Sequence, residues 1–124
     1  MLLVDDDAQL RQIACAMLED LGCEVLAADG ADQALALLRG APEVSVAIVD
    51  YAMPGVSGVD LARQIGEVAP GLPVVLSSGY MDADESVRSW SGPILPKPYS
   101  YEELTRLLSR YAVSRSEPAP EGAD

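Results

Sequence analysis

At 124 residues the chain holds one domain with one core, and no apolar run approaches the ~20 residues that a membrane-crossing helix needs. Its net charge of −12 opposes nonspecific binding to nucleic acid or to an anionic bilayer, because both recruit basic surfaces. The absence of histidine excludes a phosphohistidine of its own, histidine general-base catalysis and a histidine-bearing zinc site, which leaves Asp, Ser, Cys or Lys as nucleophile.

Leu2, Leu3 and Val4 form a short apolar strand that runs into Asp5, Asp6 and Asp7. From Ala8 the apolar residues Leu10, Ile13, Ala14, Met17 and Leu21 recur at three- and four-residue spacing, which predicts a helix with that stripe turned inward. Gly22 stops it. Cys23 to Ala27 reads as a second strand and Asp29-Gly30 as a turn. Ala31 to Arg39 reads as a helix with Ala31, Ala34, Leu35 and Leu38 inward, ended by Gly40, Ala41 and Pro42. Cys15 and Cys23 are expected as reduced core thiols rather than a disulfide.

Val46 to Val49 gives the third strand, with Asp50 just past its end. A Pro/Gly-rich loop, Met53-Pro54-Gly55-Val56-Ser57-Gly58, leads into a helix carrying Val59, Leu61, Ala62, Ile65 and Val68, closed by Pro70-Gly71. Pro73 opens the fourth strand, Val74 to Ser77, ahead of Ser78, Gly79 and Tyr80. The polar stretch Asp82 to Trp90 is a weakly patterned helix. Gly92-Pro93 leads into the fifth strand, Ile94 to Pro96, which stops before Lys97. Ser100 caps a last helix with Glu102 and Glu103 in its first turn and Leu104, Leu107, Leu108 and Tyr111 inward.

Ser114 to Asp124 is poor in apolar residues and rich in Pro, Glu and Ser, so the expected division is a domain over residues 1–112 and a disordered tail or linker over 113–124. Met1 opens directly on the first strand with no basic stretch. That argues against a signal peptide and makes a cytoplasmic address the expectation.

Five strands alternating with five helices predict an α/β sandwich with a parallel sheet and right-handed crossovers. In such a sheet the strand ends collect at one edge, where ligands bind, and here that edge gathers Asp5, Asp6, Asp50, Ser78 and Lys97. Carboxylates ~4 Å apart repel by up to about 4 kcal/mol at an effective dielectric of about 20, so the acids call for a cation. Mg²⁺ suits them, being a hard ion that takes oxygen ligands and also binds phosphate oxygens. Each residue alone has a plainer role. Asp5 to Asp7 could complement a helix dipole, Asp50 could be a loop residue, Ser78 a turn hydroxyl and Lys97 a solvated charge. Their joint placement after four strands outweighs those readings.

The acidic pair Asp5-Asp6, the run Asp50-Tyr51-Ala52-Met53-Pro54 with Gly58, the pairs Ser78-Gly79 and Lys97-Pro98, and Glu102-Glu103-Leu104 follow one another in that order. Together they resemble the receiver domain of two-component response regulators, across residues 1–112. The resemblance implies a flavodoxin-like (βα)5 sandwich with a five-stranded parallel sheet of order 2-1-3-4-5. It implies that Asp50 is a phosphoacceptor, taking its phosphoryl group from the phosphohistidine of a sensor histidine kinase or a histidine phosphotransfer protein. Asp6 would ligate Mg²⁺ directly, Asp5 through water, and Ala52 by its backbone carbonyl. Ser78 and Lys97 would contact the phosphoryl oxygens and switch the conformation, and the bond before Pro98 would be cis. No direct contact with nucleic acid or membrane is expected. A weak homodimer is expected through the face that carries the helix over 82–90.

The chain also departs from that pattern. Ile94 stands where most receivers carry an aromatic residue, three positions before the lysine, so an aromatic switch would fall to Tyr80 or Tyr99. The short stretch from Ser78 to Lys97, with Ser-Gly-Tyr and Lys-Pro-Tyr, is most similar to receivers at the C-terminus of hybrid sensor histidine kinases. Such a domain is no conventional enzyme and catalyses only its own phosphorylation and dephosphorylation. A small Asp-nucleophile phosphohydrolase would need a second acid where Ala52 stands. A nucleotide- or flavin-binding module would need a phosphate loop where Asp5 to Asp7 repel phosphate. A non-catalytic pseudo-receiver would not need all five functional positions filled.

Overall fold

The computed structural model describes residues 1–40, 44–53, 55–79, 90 and 92–111. Five strands run through it: β1 (Leu2–Val4), β2 (Leu26–Ala28), β3 (Ala47–Asp50), β4 (Val74–Ser78) and β5 (Ile94–Pro96). They alternate with α1 (Ala8–Asp20), α2 (Ala31–Gly40), α3 (Gly58–Val68) and, at the C-terminal end, α4 (Tyr101–Arg110). All pairings are parallel and the order is β2-β1-β3-β4-β5, as the resemblance implied. The helix expected from Asp82, Tyr80, Pro54, the homodimer face over 82–89 and the tail from 113 lie outside the described residues.

Alternation along the strands divides the core into two layers, one on each face of the sheet. Leu3, Ile48, Val75 and Leu95 point to the face covered by α1 and α4, where they meet Ala14, Leu18, Leu104, Leu107 and Leu108. Leu2, Val4, Ala47 and Val49 point to the other, against Ala34 and Leu38 of α2 and Leu61 and Ile65 of α3. Each fully buried Leu or Ile contributes roughly 1.5–3 kcal/mol of transfer free energy. A strand apolar on both sides is what a doubly covered parallel sheet requires.

Three expectations need correction. Leu10 and Ile13 were expected inward, yet they are 42% and 54% exposed, and the buried positions of α1 are Ala14 and Leu18. The helix is turned so that the front of its apolar stripe faces out. The second strand was expected from Cys23 but begins at Leu26, the register partner of Leu2. Cys23 makes only an isolated bridge, because β1 offers no partner before Leu2. Asp50 and Ser78 were expected just past their strands. Both are the last residues within them, Asp50 pairing Ser77 and Ser78 pairing Pro96.

The helix ends follow their local chemistry. Asp7 caps α1, its carboxylate accepting from Gln9 N–H and Leu10 N–H at 3.0 and 3.1 Å. Gly22, at φ 90°, takes the left-handed conformation that ends the helix. Ser100 and Glu103 form the reciprocal capping box of α4. Strand β5 is an edge, preceded by Pro93 and ending in Pro96. Cys23 is buried and Cys15 half-buried, as expected of core thiols.

Candidate functional site

Residues two apart on a strand share a face. Asp5, Asp50, Ser77 and Lys97 therefore prolong the rows that Leu3, Ile48, Val75 and Leu95 begin, carrying polar groups past the core on the α1/α4 side. Lys97 lies between the two buried acids: its Nζ donates to Asp50 Oδ1 at 2.9 Å and to Asp5 Oδ2 at 3.3 Å. Asp5 and Asp50 are only 2% and 3% exposed.

Burial pushes the Asp50 carboxyl up to about 6; the hydrogen bond and charge of Lys97 pull against that rise, and the charge of Asp5 adds to it. For Lys97 burial acts downward, but the hydrogen bond and charge of Asp50 and the charge of Asp5 outweigh it and hold the ammonium above its ordinary value. One ammonium serves two carboxylates, so the lysine keeps its proton while the acids are left short of countercharge.

The acidic run divides its work. Asp5 is fixed within the site: its Oδ1 accepts from Asp7 N–H at 2.9 Å, and its carbonyl accepts from Arg11 Nη1 at 2.7 Å. Asp6 is exposed, and Asp7 serves the helix end. The plainer role considered for the whole run thus holds for Asp7. Asp5, Asp6 and Asp50 each offer a carboxylate oxygen, all within 4.8 Å of one another.

Ser78, buried at the end of β4, donates its hydroxyl to the adjacent Gly79 carbonyl at 3.1 Å. Ala52 is exposed after β3, and its backbone amide works in a small way against the rise of the Asp50 carboxyl. The peptide between Lys97 and Pro98 is cis. Gly58 holds the start of α3 against the end of β3. A Cβ there would lie 2.5 Å from the Asp50 carbonyl oxygen and 2.7 Å from Tyr51 Cα, so only glycine fits without a backbone shift.

Two residues at the site escaped the sequence reading. Ser77 is fully buried, and its hydroxyl shares a 2.7 Å hydrogen bond with Tyr99 Oη. Its spacing from Val75 would have put it on the acidic face. Arg11 gave no signal, because its bond is to a backbone carbonyl. Beside the acids, a cavity of about 410 Å³ is bordered by Asp5, Leu10, Ile13, Met17, Lys97 and Tyr99.

The family model of the response regulator receiver domain matches residues 1–109. The chain belongs to the response regulator receiver family. This receiver is 32% identical over 115 residues to the sensor protein TorS of Escherichia coli (strain K12), a match covering 90% of this chain and 12% of that protein. It is 36% identical over 119 residues to an uncharacterized 14.6 kDa protein of Leptolyngbya boryana, covering 91% of this chain and 89% of the other. The domain thus recurs inside much longer proteins and nearly alone. A crystal structure of a response regulator receiver domain protein from Clostridium thermocellum superposes with a TM-score of 0.79 at 28% identity, covering 89% of this chain and 90% of that one.

Membership makes this chain a homologue of the phosphoacceptor domains of two-component systems, which work with a histidine kinase or phosphotransfer partner. Receivers bind Mg²⁺ through an acidic pocket, and the residues here fit one. Three carboxylates converge, only two of them on the Lys97 ammonium, leaving uncompensated negative charge among oxygen donors, the set a small hard cation takes. Among the described residues no helix is long and apolar enough to cross a membrane.

Proposed function

We propose that this receiver takes a phosphoryl group from a phosphohistidine onto Asp50 and changes conformation through Ser78 and Lys97. The observation that carries this reading is the 2.9 Å contact of Lys97 with a buried Asp50, whose carboxylate also lies within 4.8 Å of Asp5 and Asp6 oxygens. In the transfer, an Asp50 carboxylate oxygen attacks phosphorus along the line of the departing imidazole nitrogen. The P–O bond forms as the P–N bond breaks. The imidazole leaves with the electron pair and becomes neutral, because its other nitrogen already carries a proton.

Asp6 would hold Mg²⁺ directly, Asp5 through water, and Asp50 and the Ala52 carbonyl would complete the protein's share; the bound ion neutralises charge on the acids and the phosphoryl oxygens. Lys97 moves from sharing two carboxylates to an oxygen of the phosphoryl group, which restores the negative charge it faces. The Ser78 hydroxyl rotates off the Gly79 carbonyl to a second oxygen. That bond exists only in the phosphorylated state, and so biases the end of β4 toward another conformation.

The exposed Leu10 and Ile13 beside the acids are the surface on which the donor protein rests. We propose that the domain works in the cytoplasm as the receiver of a hybrid sensor kinase, over residues 1–112 with a tail or linker over 113–124. The Ser-Gly-Tyr and Lys-Pro-Tyr signatures support that parentage. The test is incubation with Mg²⁺ and acetyl phosphate, read by intact mass. One hydroxylamine-labile phosphate on wild type and none on Asp50→Asn is the expected result. Continuous turnover of unrelated phosphomonoesters would instead assign a hydrolase.

A further inference from the structure

The reaction as drawn uses Lys97 and Ser78 on two different strands, and both must reach the same phosphoryl group. Two of the following three hydrogen bonds connect their segments, and the one from Tyr51 ties in the end of β3. Lys97 N–H donates to the Ser78 carbonyl at 3.1 Å, Tyr51 N–H donates to the Ser77 carbonyl at 2.8 Å, and the Ser77 hydroxyl meets Tyr99 Oη at 2.7 Å. The third is the only side-chain link of the three, and it spans 22 residues. Ser77 is also the register partner of Asp50 on one side and of Leu95 on the other. It therefore stands where the acceptor strand, the serine strand and the lysine strand come together.

Tyr99 follows Lys97 by two residues. Its ring packs against the core beneath α1 and α4, and its hydroxyl reaches the buried Ser77. A buried hydroxyl without a partner is costly, so each holds the other in place. The edge position Ile94 is an exposed aliphatic side chain with no polar group to give, so it supplies no comparable tie. Burial keeps the Tyr99 phenol neutral, above its ordinary range, so the bond persists across the working pH of the site.

We propose that Tyr99 is a positioning residue for phosphoryl transfer. Its hydroxyl, bonded to Ser77, holds the Lys97 segment against the end of β4, so that the ammonium and the Ser78 hydroxyl approach the group on Asp50 as one unit. The proposal rests on Asp50 being the acceptor. Tyr99 touches no reacting atom; it acts through Lys97 and Ser78.

The test compares wild type with Tyr99→Phe, Ser77→Ala and the double variant, each with Mg²⁺ and acetyl phosphate over a range of donor concentrations. Tyr99→Phe retains the ring and hence the packing. The maximal phosphorylation rate should fall about three- to tenfold in each single variant, with the half-saturating donor concentration unchanged, the scale set by one hydrogen bond. The double variant should be no slower than either single one, because both remove the same link. Amide exchange at Lys97, read without any phosphorylation, should speed up in Tyr99→Phe. A hydroxyl that served packing alone would lower the melting temperature and leave the maximal rate and its non-additivity untouched. An unmodified wild type overturns the assignment of Asp50 and the positioning role with it. Equal maximal rates in wild type, Tyr99→Phe and Ser77→Ala overturn the positioning role alone. Should one variant fail to fold, the other decides.

Discussion

Asp50 is held in a conflict between folding and function. Its carboxyl is raised to about 6, so the folded chain binds this proton more tightly than the unfolded chain, whose carboxyl lies near its ordinary 3.8. Without a cation, the stability this group supplies is fully present below about pH 4 and is lost as pH rises through about 6. Asn is neutral and nearly isosteric. Asp50→Asn should therefore melt higher than wild type at about pH 7 in the absence of Mg²⁺, and the gap should close as pH falls toward 4. Thermal melts at several pH values check this; equal melting at neutral pH would mean that the buried charge costs nothing. At this scale the sequence showed Asp5, Asp50 and Lys97 because each ends an apolar run. Ser77 stayed hidden as a single polar letter inside such a run, since its partner Tyr99 is distant in sequence and close only in the fold.

The elements were legible where the pattern decides and illegible where a neighbour does. The stripe of α4 was read correctly, because Leu104, Leu107 and Leu108 leave one narrow face to bury. Helix α1 carries a broader stripe, and periodicity alone does not say which part of a wide stripe meets the sheet. So Leu10 and Ile13 were assigned inward while Leu18 was overlooked. The start of β2 was misread for a related reason: a strand exists only where another lies beside it, and β1 begins at Leu2. The entry of α3 is set by contact as well. Gly58→Ala would force a methyl group onto the Asp50 carbonyl and Tyr51 Cα, neither of which can swing aside. It should cost roughly 1–3 kcal/mol in urea denaturation, typical of overpacking. It should also slow labelling by acetyl phosphate, because the strain falls on the strand that carries the proposed acceptor Asp50. A variant as stable as wild type would show that the helix can retreat freely.

Across the whole molecule, the α1/α4 face does two things at once. Its deep rows carry the core, and the same rows carry Asp5, Asp50, Ser77 and Lys97 beyond it. Slipping one strand by a single residue would send its polar group to the opposite face, so the packing that selects the register also assembles the site. The outward part of α1 is free of that duty. Ile13→Ser should change stability by no more than about 0.5 kcal/mol and leave acetyl phosphate labelling intact. Transfer from a phosphorylated kinase or phosphotransfer protein should slow by roughly five- to thirtyfold, as for losing 1–2 kcal/mol of contact. Stopped-flow or gel-based transfer assays with both donors separate the cases, and a variant slowed equally with either donor would remove this surface from recognition.

The far margin of the sheet has its own consequence. The Pro93 carbonyl and the Lys97 N–H both turn toward β4, which leaves Ile94 and Pro96 facing away, and Pro96 has no amide hydrogen to offer. A second chain arriving along that border would find a single donor and then a ring. Crowded copies of the protein therefore have no template there for growing an endless ribbon, even though the border lies one residue from the lysine that bridges the two buried acids.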